Sequence, residues 1–186
     1  MEREQVRALL RRFQEGYTHR DAARLDAFMD LFVSDEAVEI VGTGAVEVGA
    51  GEWCLGREAA RRLVEGDWAH WGDVVYDVEA ARVFVNGDTA WLATTGTVTD
   101  TIPAAERHTG YLAYVKSVLE DEKRNAQSRL LDIVGVGTDI ALSLPLGETF
   151  TWPFRFTAVA VRECGEWRFH QMHFSFATTR APDVRT

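Results

Sequence analysis

Two runs toward the C-terminal end, ETFTWPFRFTAVAVRE and EWRFHQMHFSFAT, alternate apolar and polar residues over most of their length. Only Cys164 and Gly165 lie between them. Alternation at period two sends every second side chain to the same face of a β-strand. Two such runs back to back commit the chain to a long antiparallel hairpin whose apolar face other elements must cover. His170 and His173 stand three apart in the second run, Glu166 to Thr178. Strict period two therefore puts them on opposite faces, and no metal ion is expected between them.

The covering elements come first in the chain. Val6, Leu9, Leu10, Phe13 and Tyr17 recur at helical spacing among arginines and glutamates, which predicts an amphipathic helix. Asp21 reads as the N-cap of a second helix carrying Leu25, Phe28, Met29 and Phe32. EAVEIVG reads as a strand, and a third helix runs from about Arg57 to Ala69 with Ala60, Leu63, Val64 and Trp68 on one side. Between them GTGAVEVGAGEW is a glycine-rich loop or irregular hairpin. It lacks the Gly-Lys-Ser/Thr of a phosphate loop and the spacing of a dinucleotide turn.

Asn86-Gly87-Asp88 joins DVVYDVEAARVFV to TAWLATTGTVTDT, a strong hairpin signal, with Gly96 as a candidate bend. Residues 103–148 interrupt this rhythm with a helical insertion near 105–137. Helices followed by mostly antiparallel strands predict an α+β fold, helices packed on one face of a sheet, within a single domain of 186 residues.

Composition narrows the function. A net charge of −9 argues against nucleic acid as a partner. No apolar run approaches the roughly 20 residues of a membrane span. The charged start MEREQVRALLRRF has no signal-peptide core, so a cytoplasmic protein is expected. Cys54 and Cys164 are far apart and in no Cys-x-x-Cys motif, so neither a disulfide framework nor a thiolate metal site is expected. No cofactor motif is present.

The last hairpin also suggests a site. A three-residue loop, Glu163-Cys164-Gly165, sets Val161 opposite Trp167, Thr157 opposite Gln171 and Arg155 opposite His173. An apolar wall then continues into a polar patch, the composition of a small-molecule pocket. The expected ligand-binding residues are Arg155, Thr157, Gln171 and His173, with Trp53 and Trp91 as indoles lining the cavity. A two-residue Cys164-Gly165 turn would instead put His173 beside Phe156 and scatter the polar groups.

PFRFTAVAVRECGEWRFHQMHFSF resembles the terminal hairpin of SnoaL-like domains of the nuclear transport factor 2-like superfamily. LFVSDEAVEIVGTG, GEWCLGREAARRLVEGDW and NGDTAWLATTG extend the resemblance. It implies a cone-like fold, a strongly curved antiparallel sheet wrapped by helices around a pocket, and homodimers paired through the sheet. In the superfamily's isomerases a general-base aspartate follows the first strand, and here Val41 falls near that position. The isomerases' oxyanion-binding tyrosine maps closer to Phe13 than to Tyr17. The usual proton-transfer pair is thus missing.

Three readings follow. The first is a conical pocket binding a small, partly apolar molecule, with catalysis not assured. The second is an isomerase, polyketide-cyclase-like or dehydratase enzyme using His173 as acid or base. The third is a non-catalytic homodimeric association module. Asp67, Asp73, Asp77, Glu39 and Tyr17 are further acid–base candidates that sequence alone does not bring together.

Overall fold

The computed structural model describes residues 2–176 apart from Val46, Ala50, Lys123, Leu144 and Leu146. The expected strand residues Ala177 and Thr178 lie outside the described residues, as do Val46 and Ala50 of the glycine-rich loop. The class is α+β, with helices packed on a curved sheet. The chain forms two compact units, one built from residues up to Val98 and from Trp152 onward, the other from Thr99–Thr151.

In the first unit, α1 (Glu2–His19) buries Val6, Leu9, Leu10, Phe13 and Tyr17 on one stripe. Asp21 is an N-cap, its carboxylate accepting the Ala23 N–H at 3.0 Å, but not of the helix expected to reach Phe32. The cap opens a short 3-10 turn that leads into α2 (Leu25–Met29). Strands β1 (Glu39–Val41) and β2 (Trp53–Leu55) flank the glycine-rich loop, and α3 (Arg57–His70) follows. Then come β3 (Asp73–Tyr76), β4 (Arg82–Asn86) and β5 (Thr89–Thr101). The long closing pair is β6 (Thr149–Glu163) and β7 (Glu166–Phe176).

The sheet order is β2-β1-β7-β6-β5-β3, with β4 also on β5. β1 runs parallel to β7, whereas β1–β2, β4–β5 and β6–β7 are antiparallel. The expected bend at Gly96 is a packing requirement within the continuous strand β5. A Cβ there would stand 2.7 Å from the Val75 carbonyl oxygen. Phe13, Phe32, Phe156 and Phe169 are fully buried at the centre of the core, where an edge-on contact of Phe13 with Phe169 and a stacked one with Phe156 join α1 to the sheet.

The hairpin register corrects the expected one. Cys164 and Gly165 both have positive φ, 51° and 86°, so the connection is a two-residue turn of the primed kind that matches strand twist. Glu163 accordingly pairs with Glu166. The register then shifts at Val159/Ala160, where His170 is the extra residue of a bulge. Beyond it Val159 faces Gln171, Thr157 faces His173, and Arg155 faces Ser175 rather than His173.

The bulge lies where β7 changes neighbours. Phe169 bonds Leu31 and Val33 through its backbone, and Gln171 to His173 align with β1. Its effect on side chains is direct. Phe169 and Met172, three apart, are both buried, so the parity expected for His170 and His173 does not hold across this point.

The second unit contains two helices where a single stretch near 105–137 is expected. They are α4 (Ala104–Glu120) and α5 (Ala126–Ser143). Asn125 separates them by capping α5, its side-chain oxygen accepting the Ser128 N–H at 2.8 Å. Arg107, almost fully buried, donates to the Gly147 and Glu148 carbonyls and lies over the Phe150 ring. Among the described residues no helix is long and apolar enough to cross a membrane.

Candidate functional site

Alternation decides which hairpin residues reach the interior. Phe154, Phe156, Ala158 and Ala160 of β6 are buried, as are Trp167, Phe169, Met172 and Phe174 of β7. Arg155, Thr157, Gln171 and His173 therefore share one face, as expected, but it is the face turned away from the core. Arg155, Thr157 and His173 are exposed there and Gln171 is half-buried.

Local partners occupy two of these four. The Arg155 guanidinium donates to the Phe176 carbonyl. The Gln171 amide donates to Glu39 at 2.9 Å, and the Trp53 indole N–H donates to the other Glu39 oxygen at 2.8 Å. Trp53 borders an open groove beside Leu55 and Arg62. Trp91 is exposed and stacks on Phe84 with ring centroids 5.6 Å apart. The six expected ligand-binding residues thus stand apart from the interior cavity.

That cavity belongs to the helix-covered side. Its walls are Phe13 and Tyr17 of α1, Ile40 of β1, Leu63, Val64 and Asp67 of α3, and Trp71, with Met172 and Phe174 of β7. Gly42, Thr43 and Glu52 of the glycine-rich loop close it. The cavity volume is about 40 Å³, against the ~10–15 Å³ that one water needs.

Two of the further acid–base candidates meet here. The Tyr17 hydroxyl donates to Asp67 Oδ2 at 2.7 Å across 50 residues of sequence. Tyr17 is fully buried, and its own ionisation is pushed well up by that burial and by the Asp67 charge. Burial also pushes the Asp67 carboxyl up, to about 6. The Tyr17 hydrogen bond opposes this, the Glu52 charge adds to it and Arg20 counters it. The Arg20 guanidinium is itself taken up by the carbonyls of Tyr17, Trp71 and Gly72.

Tyr76 is a buried neighbour whose hydroxyl has no hydrogen-bond partner among the described residues. Glu52 accepts the Gly44 N–H at 2.6 Å and the Thr43 hydroxyl at 3.4 Å. The remaining candidates go elsewhere. Asp73 pairs with Arg20 at 3.8 Å, Asp77 accepts the Ala80 N–H at 3.2 Å, and Glu39 holds Trp53 and Gln171.

A signal for Asp67 existed. Ala60, Val64, Asp67 and Trp71 follow one another at helical spacing, so an acid occupies the apolar stripe of α3. Val41, near the position of the isomerases' aspartate, is the last residue of β1; the cavity acid comes from a helix instead. Phe13 and Tyr17, one turn apart, both line the cavity. Among the described residues no group of three or more His, Cys, Asp or Glu side chains could hold a metal. Cys54 is buried and Cys164 exposed, and both are free.

Helices over a curved sheet are the fold this chain shares with solved structures described as NTF2-like, one of them with a cystatin-like fold. The family model of the SnoaL-like domain matches residues 6–125, and the chain belongs to that family.

Solved structures agree on the fold. A candidate dehydratase of the NTF2-like family from Streptomyces avermitilis superposes with a TM-score of 0.60 at 16% identity, covering 96% of this chain and 97% of that one. A ketosteroid isomerase-like protein from Erwinia carotovora atroseptica gives 0.57 at 11% identity, with 96% and 98% covered. A candidate calcium/calmodulin-dependent protein kinase II association domain from Xanthomonas campestris gives 0.56 at 15% identity, with 94% and 87% covered. None of the curated proteins compared matches the chain in sequence.

Proposed function

We propose that this SnoaL-like domain binds a small, partly apolar molecule in the cavity between α1, α3 and the sheet, with Asp67 as its polar anchor. The observation that carries this reading is the Tyr17–Asp67 hydrogen bond within an aromatic-walled space. An apolar wall with few aimed polar groups is what small-ligand sites require. The test is a panel of small molecules followed by ligand-observed NMR on the wild type and on Leu63→Trp, which fills the cavity. Binding should disappear in the filled variant. Hits that bind both proteins alike would show that the cavity is not the site.

A second reading is favoured by the carboxyl at about 6. A group titrating there exchanges protons near neutral pH, as general acid–base catalysis needs. Asp67 replaces His173 as the acid–base residue in this enzyme reading, of the isomerase, cyclase or dehydratase type. The dehydratase and isomerase-like names of two structural neighbours support it as analogy. A turnover profile with a break near pH 6 that Asp67→Asn removes would bear it out. Turnover unchanged in that variant would end it.

The outer sheet face suits association with a second copy of the chain. Phe84 and Trp91 are exposed on it and stack with ring centroids 5.6 Å apart, and Val75 of β3 is exposed further along β5. Light scattering on the wild type and Trp91→Glu tests this. A wild-type dimer that becomes a monomer is the expected result, and a monomeric wild type contradicts the proposal.

A further inference from the structure

The charge balance of the cavity constrains what can enter it. Among the described residues its lining contains two carboxylates, Asp67 and Glu52, and no arginine, lysine or histidine. Arg20, a nearby cation, donates to backbone carbonyls and pairs with Asp73. Tyr17 occupies Asp67 Oδ2, while Oδ1 accepts from no described residue. Around these acids stand aromatic rings in edge contact, Trp71 against Tyr17 at 6.1 Å and against Phe174 at 6.2 Å between centroids. Asp67 faces an apolar space beside a second carboxylate, and burial together with the Glu52 charge raises the cost of ionising it. A carboxylate ligand would add a third like charge. A neutral ligand would leave the imbalance as it is. A cation would neutralise it, and aromatic faces attract cations as well.

We propose that the cavity selects a small organic cation, an amine protonated at neutral pH, with its nitrogen on the Asp67 and Glu52 carboxylates and its carbons against Tyr17, Trp71 and Phe174. This rests on the cavity being the binding site and adds the chemical class of the ligand. The size agrees: a cavity of about 40 Å³ suits a molecule of a few heavy atoms.

The groups that set the charge here are Asp67 and Tyr17, Glu52 from the loop, Arg20 beyond α1 and Tyr76 of β3. Binding of an amine should therefore strengthen as pH rises from 5 to 7 and Asp67 loses its proton.

The experiment uses one carbon skeleton with three heads, isobutylamine, isobutanol and isobutyrate, titrated by NMR and calorimetry at pH 7.5. The proteins are the wild type, Asp67→Asn, Glu52→Gln and Leu63→Trp, each checked for fold by circular dichroism. The amine should bind the wild type at least about tenfold more tightly than the alcohol, with isobutyrate weakest (1.4 kcal/mol per tenfold step). Either carboxylate variant should erase most of that preference, so Glu52→Gln serves if Asp67→Asn does not fold. Equal binding of amine and alcohol, or a preference that survives both substitutions, overturns the cation proposal and leaves the cavity reading intact. Binding of none of the three, or binding that Leu63→Trp does not reduce, overturns the cavity reading and the cation proposal together.

Discussion

Met172 and His173 are neighbours in sequence and occupy different media. Met172 is buried and lines the cavity, whereas His173 is exposed on the other side of the same strand. The contrast runs along the whole hairpin. The inner face is Phe, Ala, Trp and Met; the outer face carries Arg155, Thr157, Gln171 and His173. In a half-buried strand, polar residues at alternate positions mark the solvent side, so the polar groups of an interior cavity must come from elsewhere. Here they come from the helices and a loop. Tyr17 and Asp67 are single polar positions on otherwise apolar helical stripes.

The strongest way to break this contrast is to cut into the inner face. Phe169→Ala should cost about 3–5 kcal/mol of stability, since it removes a fully buried ring at the centre of the aromatic core. Urea denaturation measures it. A loss below about 1 kcal/mol would mean that the inner face is far less well packed than described.

Asp67→Asn comes next and sharpens the comparison through pH. The folded carboxyl titrates at about 6 against an ordinary 3.8, so the native state holds this proton more tightly than the unfolded chain. The contribution is complete below about pH 4 and is lost as pH rises through 6. The asparagine variant, which keeps an acceptor for Tyr17, should therefore gain on the order of 2 kcal/mol over the wild type between pH 4 and 7. Parallel stability curves for the two proteins would contradict this.

A smaller effect is expected from Tyr17→Phe. Its hydroxyl is the hydrogen bond that holds the Asp67 value down, so its loss should move the carboxyl above 6, visible in a carbon-detected NMR titration. A downward movement would show that another group sets the acidity. Least of all, Arg155→Ala and His173→Gln should each change stability by less than about 0.5 kcal/mol, as exposed substitutions do. They should leave binding in the cavity untouched. Loss of cavity binding in either would restore the outer face as the site.

Legibility differed between fold and site for one reason. The stripe from Val6 to Tyr17, the Asp21 cap, the two long strands and the family resemblance all rest on local spacing, which sequence displays directly. The register did not, because the turn holds two residues rather than three and a bulge at His170 shifts every pairing beyond it. That bulge accompanies a change of partner strand, from Leu31–Val33 to β1, more than 120 residues earlier in the chain. Asp67 was visible as an acid on an apolar stripe, but its meaning depended on Tyr17 arriving from α1.

By itself, then, the sequence determined the α+β class, which helical and strand faces are apolar, and membership of the SnoaL-like domain family, since periodicity and short motifs are properties of consecutive residues. Only the tertiary structure decided which face of the hairpin meets the cavity, and that Tyr17, Asp67 and Glu52 share it. Burial and hydrogen bonding between residues 50 apart arise from the packing of whole elements, and no local pattern encodes which elements meet.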